Sequence, residues 1–249
     1  MKYFRMIVPL FIPLIAGALL ICWYSWARFD SPFEFGLRYQ ITIFNLNKDA
    51  NLVFEPGYFF PNIYTYIFHP FEAISGFPFI QPTIVANTLK KFNIVTSEFY
   101  HAGMVTGLLF SAPFLVLGLV HLFPKNKVSK QGNSSDSPSS YKFILLLLSG
   151  SFLLNFSILL FYFYGQTRFL VDSISQITLL AILGYWQIIS RKLTVNSPRS
   201  KLFLALANFL IILTICASIL LAFSSETSRF ETLNPQFFER INEFLNIQK

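Results

Sequence analysis

Arg168 and Asp172 stand one helical turn apart inside YFYGQTRFLVDSISQITLLAILGYW (162–186), a stretch otherwise dominated by apolar and aromatic side chains. An ionisable group at membrane depth costs a few kcal/mol unless it is paired or reaches the interface, so its presence marks a functional site or a local ion pair. Either reading fits the spacing. The two charges can neutralise each other where one helix ends and the next begins, or Arg168 can present its planar fork to a phosphate, with Gln166 and Thr167 as polar neighbours. Two further pairs, His69 with Glu72 and Glu98 with His101, have spacings that place both side chains on one helical face. Metal sites generally need three or more ligands at recognisable spacing, so no metal is expected at either pair. Asp30 and Glu34, in ARFDSPFEFG, can in principle serve as a base or hold a hydroxyl, but solvated loop carboxylates are the ordinary case. The chain carries no Gly-rich phosphate loop, serine elbow or dinucleotide fingerprint, so no cofactor is expected and no catalytic residue is assigned.

The elements that hold these residues follow from composition. The 249 residues are 54% hydrophobic, 18% aromatic and 12% charged, which defines a membrane protein. A hydrocarbon core of roughly 30 Å takes about 20 apolar helical residues to cross. Windows of that length run Met6–Trp26, Met104–Phe123, Phe143–Tyr164 and Leu202–Phe223, and Phe169–Ile189 is a more polar fifth. The expected fold is an all-α polytopic transmembrane helix bundle of about five spans with a long aromatic-rich external loop. Its parts are a first transmembrane helix at 1–26, an external interfacial segment at 27–103, and a four-helix bundle at 104–223. A Ser- and Lys-rich cytoplasmic linker at 124–142 is expected to be disordered, and 224–249 forms an external tail. The first apolar run is too long for a signal peptide and ends in CWYSWARFD rather than small residues, so it reads as an anchor. Cys22 and Cys216 fall inside spans and read as packing residues.

Orientation follows from the basic residues. With the N-terminus cytoplasmic, ten of the 19 Lys and Arg fall in three short inside segments, and every acidic residue except Asp136 falls elsewhere. The net charge of +7 is therefore a topology signal and gives no basic stripe for nucleic acid. The segment Val53–Ile80 places ten Phe and Tyr among four prolines, which forbids a spanning helix and suits the headgroup boundary. After Pro235, apolar residues recur at helical spacing through Leu245, predicting an amphipathic helix on the membrane or on the long loop.

ARFDSPFEFGLRYQIT, YFFPNIYTYIFHPF, EFYHAGMVTGLLFSAPFLVLGL and TRFLVDSISQITLLA together resemble the C-terminal half of bacterial GT-C-type glycosyltransferases, which use polyprenyl-phosphate-linked sugars. The resemblance spans Trp23 to about Leu183. Arg168 and Asp172 match the family's RY..DF.P hairpin, with Phe169 in place of Tyr and Ser173 and Ser175 in place of the aromatic and Pro. It implies a multi-pass protein of the bacterial inner membrane, for which the Lys and Arg partition sets the N-terminus cytoplasmic and the C-terminus external. On that match Arg168 and Asp172 become lipid-phosphate-binding candidates, with Gln166 added as a polar neighbour. The family's catalytic acid lies in an N-terminal half, so this chain is expected to lack it and to need a separate half or partner membrane protein. Asp30 is accordingly not assigned as the base. The alternative is a non-catalytic membrane scaffold or assembly subunit, in which Arg168 and Asp172 serve as helix-interface glue.

Overall fold

The computed structural model describes residues 2–34, 36, 39, 48–92, 94, 96–122, 138–194, 197–224 and 229–245. It divides into two compact units, Met1–Val53 and Phe54–Lys249. In the first, α1 (Lys2–Phe29) has Phe11, Leu14, Leu19 and Trp23 all exposed, the pattern of a helix whose surroundings are lipid. The helix finishes as an interfacial helix should. The Arg28 guanidinium donates to the Tyr24 hydroxyl at 2.8 Å and lies 5.1 Å from the Phe29 ring centre. Asp30 then takes a left-handed φ of 56°, and its N–H bonds the Trp26 carbonyl at 2.9 Å, which closes the helix.

The second unit begins with α2 (Phe59–Ile63), which runs directly into a π-helical turn at Tyr64–Phe68. Strands β1 (Phe71–Ala73) and β2 (Ile80–Ile84) form an antiparallel pair, and α3 (Val85–Lys91) follows. Next come β3 (His101–Ala102) and β4 (Met104–Val105). Strand β4 pairs antiparallel with β2, so the larger sheet has the order β1-β2-β4. Helix α4 (Leu108–Ser111) and a ten-residue 3-10 segment, Pro113–Leu122, complete this half. The remainder is helical: α5 (Pro138–Leu160), α6 (Val171–Thr194), α7 (Pro198–Phe223), α8 (Arg229–Leu233) and α9 (Pro235–Phe244). Between α5 and α6, β5 (Tyr164–Gly165) pairs parallel with β3, and a 3-10 turn at Thr167–Leu170 leads into α6. Helix α7 opens on a reciprocal cap, Ser197 and Ser200 each accepting the other's backbone N–H at 3.2 Å, with Pro198 in the first turn.

The chain is mostly helical, and among the described residues four helical stretches are long and apolar enough to cross a membrane: Phe11–Phe29, Tyr141–Leu160, Thr167–Ser190 and Pro198–Phe223. The aromatic segment also contains strands that alternation did not signal. The Met104–Phe123 window, expected as one helix, is a strand, a single helical turn and a 3-10 run over its described residues, 104–122. Gly107 and Pro113 account for the break, since one approaches a neighbouring backbone and the other lacks an N–H. Helix α5 starts at Pro138, so the last residues of the expected linker belong to it, and 124–137 lie outside the described residues.

The broken segment nevertheless packs against α5, α6 and α7. Ser218 of α7 donates to the Ser111 carbonyl at 3.3 Å, and Thr214 accepts from the Phe114 N–H at 3.0 Å. Further along, Leu115 and Leu117 are buried with Ala181, Ile188 and Ala207. Last in the segment, His121 hydrogen-bonds the Leu180 carbonyl at 3.0 Å and stands 3.3 Å from the Tyr141 hydroxyl at the start of α5. Gly184 allows this packing, because a Cβ there would collide with the Leu117 carbonyl. Close backbone approach through small residues is how helices associate in lipid, and irregular backbone is tolerated at membrane depth where protein covers it.

Candidate functional site

The turn between α5 and α6 is built on polar atoms supplied by the aromatic segment. Asn62 is fully buried, and its Nδ2 reaches the carbonyls of Leu159 (3.0 Å), Leu160 (3.2 Å) and Tyr162 (2.8 Å). These are carbonyls that a terminating helix leaves without partners. Its Oδ1 accepts from the Tyr100 hydroxyl at 3.0 Å, which lies 3.1 Å from Thr65 Oγ1, and Thr65 donates to the Pro61 carbonyl at 2.8 Å. Tyr58 stacks on Tyr100 with ring centres 5.6 Å apart. Burial pushes the Tyr100 phenol up to about 12, and burial raises Tyr66 still further, so both stay protonated donors across the physiological range. Gly165 permits the close contact, since a Cβ there would stand 3.2 Å from the Ala102 Cβ and 3.3 Å from the Tyr100 hydroxyl.

On this base the turn presents Gln166 and Arg168. Gln166 caps the 3-10 turn, its N–H donating to the Tyr66 hydroxyl and its Nε2 to the Tyr164 hydroxyl, both at 3.3 Å. Its Oε1 is buried and meets no donor among the described residues. Arg168 is exposed, with its guanidinium 5.1 Å from the Phe169 ring centre. Burial raises the Tyr162 phenol, and the Arg168 charge opposes that shift. Asp172 occupies the first turn of α6, where a carboxylate meets the positive end of the helix dipole. No ion pair joins Arg168 to Asp172; the arginine lies instead over Phe169.

The other sequence candidates are scattered. His69 is fully buried, its Nδ1 2.7 Å from the Val105 carbonyl and its Nε2 3.2 Å from Thr88 Oγ1. Burial lowers its pKa, so it is a neutral structural imidazole, and Glu72 lies out on β1, exposed. His101 is exposed on β3 with Nδ1 3.0 Å from the Phe99 carbonyl, and Glu98 is exposed in the turn before it. Glu34 Oε1 accepts from the Gly36 N–H at 3.0 Å, and Asp30 closes α1. Among the described residues no group of three His, Cys, Asp or Glu can hold a metal. The Asn62, Thr65 and Tyr100 network was missed from sequence. Its signal was present in FFPNIYTYIF, where an Asn and a Thr interrupt an aromatic run.

No family model matches the chain, and neither a curated protein nor a solved structure matches it.

Proposed function

We propose that this chain is the membrane-embedded part of a GT-C-like glycosyltransferase, with Arg168 holding the phosphate of a lipid-linked sugar at the α5–α6 turn. The carrying observation is an exposed guanidinium, unpaired with Asp172, at the meeting point of two membrane-length helices, in the same turn as Gln166, whose buried Oε1 meets no donor among the described residues. Leaving a buried acceptor unmet costs about 1–3 kcal/mol, which favours a site where a ligand or its hydration supplies the donor. In this reading the chain lies in a bacterial inner membrane and the turn faces outward, following the distribution of Lys and Arg. The broken segment Met104–Leu122 is the second of five crossings, supported by its contacts with Ser218 of α7 and with Tyr141 at the start of α5. The sugar-transfer base is contributed by a partner membrane protein.

The test is polyprenyl-phosphate binding in nanodiscs by wild type, Arg168→Lys, Arg168→Gln, Asp172→Asn and the double neutral variant. Arg168→Lys keeps the charge and loses the fork, so we expect binding to weaken about tenfold, with little change in thermal unfolding. The double variant should fold normally and fail to bind. Wild-type affinity in the double variant would refute the site and leave the scaffold reading.

A further inference from the structure

Away from the arginine turn, β1, β2 and α3 border a cleft of about 470 Å³ lined by Glu72, Gln81, Thr83, Asn87, Thr88 and Lys91. Its volume falls in the range of small-molecule sites, roughly 300–1,000 Å³. Phe71, Pro82 and Met104 supply apolar wall between the polar groups. The chemistry of the floor is set by His69 beneath it. With Nδ1–H donating to the Val105 carbonyl at 2.7 Å, Nε2 is left as an acceptor for the Thr88 hydroxyl at 3.2 Å. Thr83 donates to the Pro70 carbonyl at 3.4 Å, with His69 Nε2 also 3.4 Å away. Both threonine hydroxyls thus spend their protons inward and offer lone pairs to the cleft. The Glu72 carboxylate adds acceptor oxygens, the Gln81 and Asn87 amides each bring an acceptor oxygen and an N–H donor group, and Lys91 contributes one cationic donor.

We propose that this cleft binds a hydroxyl-rich, uncharged ligand, a saccharide, whose O–H groups meet the acceptors and whose ring face rests on the apolar wall. Its role as an acceptor-sugar site rests on the glycosyltransferase reading. The placement supports that role. Strand β3 pairs with Tyr164–Gly165, the Gly103 N–H bonds the Gly165 carbonyl at 3.0 Å, and β4 pairs with Thr83–Ile84. One short stretch, 101–105, therefore joins the arginine turn to the cleft wall.

The experiment is saturation-transfer-difference NMR on the full chain in nanodiscs, with D-glucose, D-galactose, D-mannose and N-acetyl-D-glucosamine as probes and alanine as the zwitterionic control. Glu72 and Lys91 are exposed, so Glu72→Gln and Lys91→Gln test the site with little risk to folding. We expect at least one sugar to give transfer, and the signal to fall about tenfold in Glu72→Gln with loss of a charge-assisted hydrogen bond. Arg168→Gln should keep the sugar signal while losing polyprenyl phosphate, which separates failure of the cleft from failure of the phosphate site. No transfer to any of the four sugars, transfer in both cleft variants as strong as in wild type, or preferential transfer to alanine would each overturn the proposal.

Discussion

Asn62 shows how much a single buried amide can hold together. One Nδ2 meets three carbonyls at the end of α5, and Oδ1 anchors Tyr100. Removing it strands buried acceptors, so Asn62→Ala should lower stability by about 2–3 kcal/mol, read as a fall in the thermal unfolding midpoint. An unchanged midpoint would mean the contacts are not formed. His69 makes a pH prediction. Burial lowers its pKa in the folded chain, so below the ordinary value of 6.5 the unfolded chain gains a proton that the folded one refuses. Stability should therefore be complete above pH 6.5 and decline as pH falls through it, and His69→Gln should remove that component of the slope. A wild-type slope in the variant would assign the effect to other groups.

At the scale of elements, the sequence made the long apolar helices legible and concealed what lies between them. Helices α1, α5, α6 and α7 follow from apolar windows near 20 residues, because lipid leaves a spanning backbone few alternatives to helix. Met104–Phe123 has the same hydropathy, but hydropathy does not register the backbone contact of Gly107 with Ile67 and His69. Nor does it reveal that Gly184 on α6 makes room for a 3-10 segment. The small sheets were hidden for a related reason: β1, β3, β4 and β5 are two or three residues long and carry too little alternation to read, and the five-residue β2 holds a proline. Of the site, Arg168 and Gln166 were visible as polar residues in an apolar context, whereas the Asn62 clamp depends on partners about 100 residues away. Gly184→Val should separate α6 from the Leu117 backbone and lower the unfolding midpoint sharply, while Gly17→Val, with open space around it, should not. The amphipathic helix after Pro235 does form, as α9, and Phe238 packs 5.9 Å from Phe77 of the β1–β2 loop. Amides of 238–244 should exchange slowly in nanodiscs; free exchange throughout would contradict that packing.

For the whole molecule, charge distribution and the path of the broken segment combine into one topological account. A cysteine-free background, Cys22→Ala with Cys216→Ala, allows single cysteines to be placed at will. Ser75→Cys should label from outside and Ser135→Cys only from inside, since the Lys-rich segment that contains Ser135 is cytoplasmic in this account. Labelling of both from one face would remove the crossing assigned to Met104–Leu122. The most direct test joins side and ligand in one position. Thr167 is exposed next to Arg168, so Thr167→Cys in right-side-out vesicles should react with a membrane-impermeant maleimide. Added polyprenyl phosphate should protect it, the corresponding polyprenol should not, and Arg168→Gln should abolish the protection. Reaction only from the cytoplasmic face, or protection by alcohol and phosphate alike, would contradict a phosphate site at the outer end of α5 and α6.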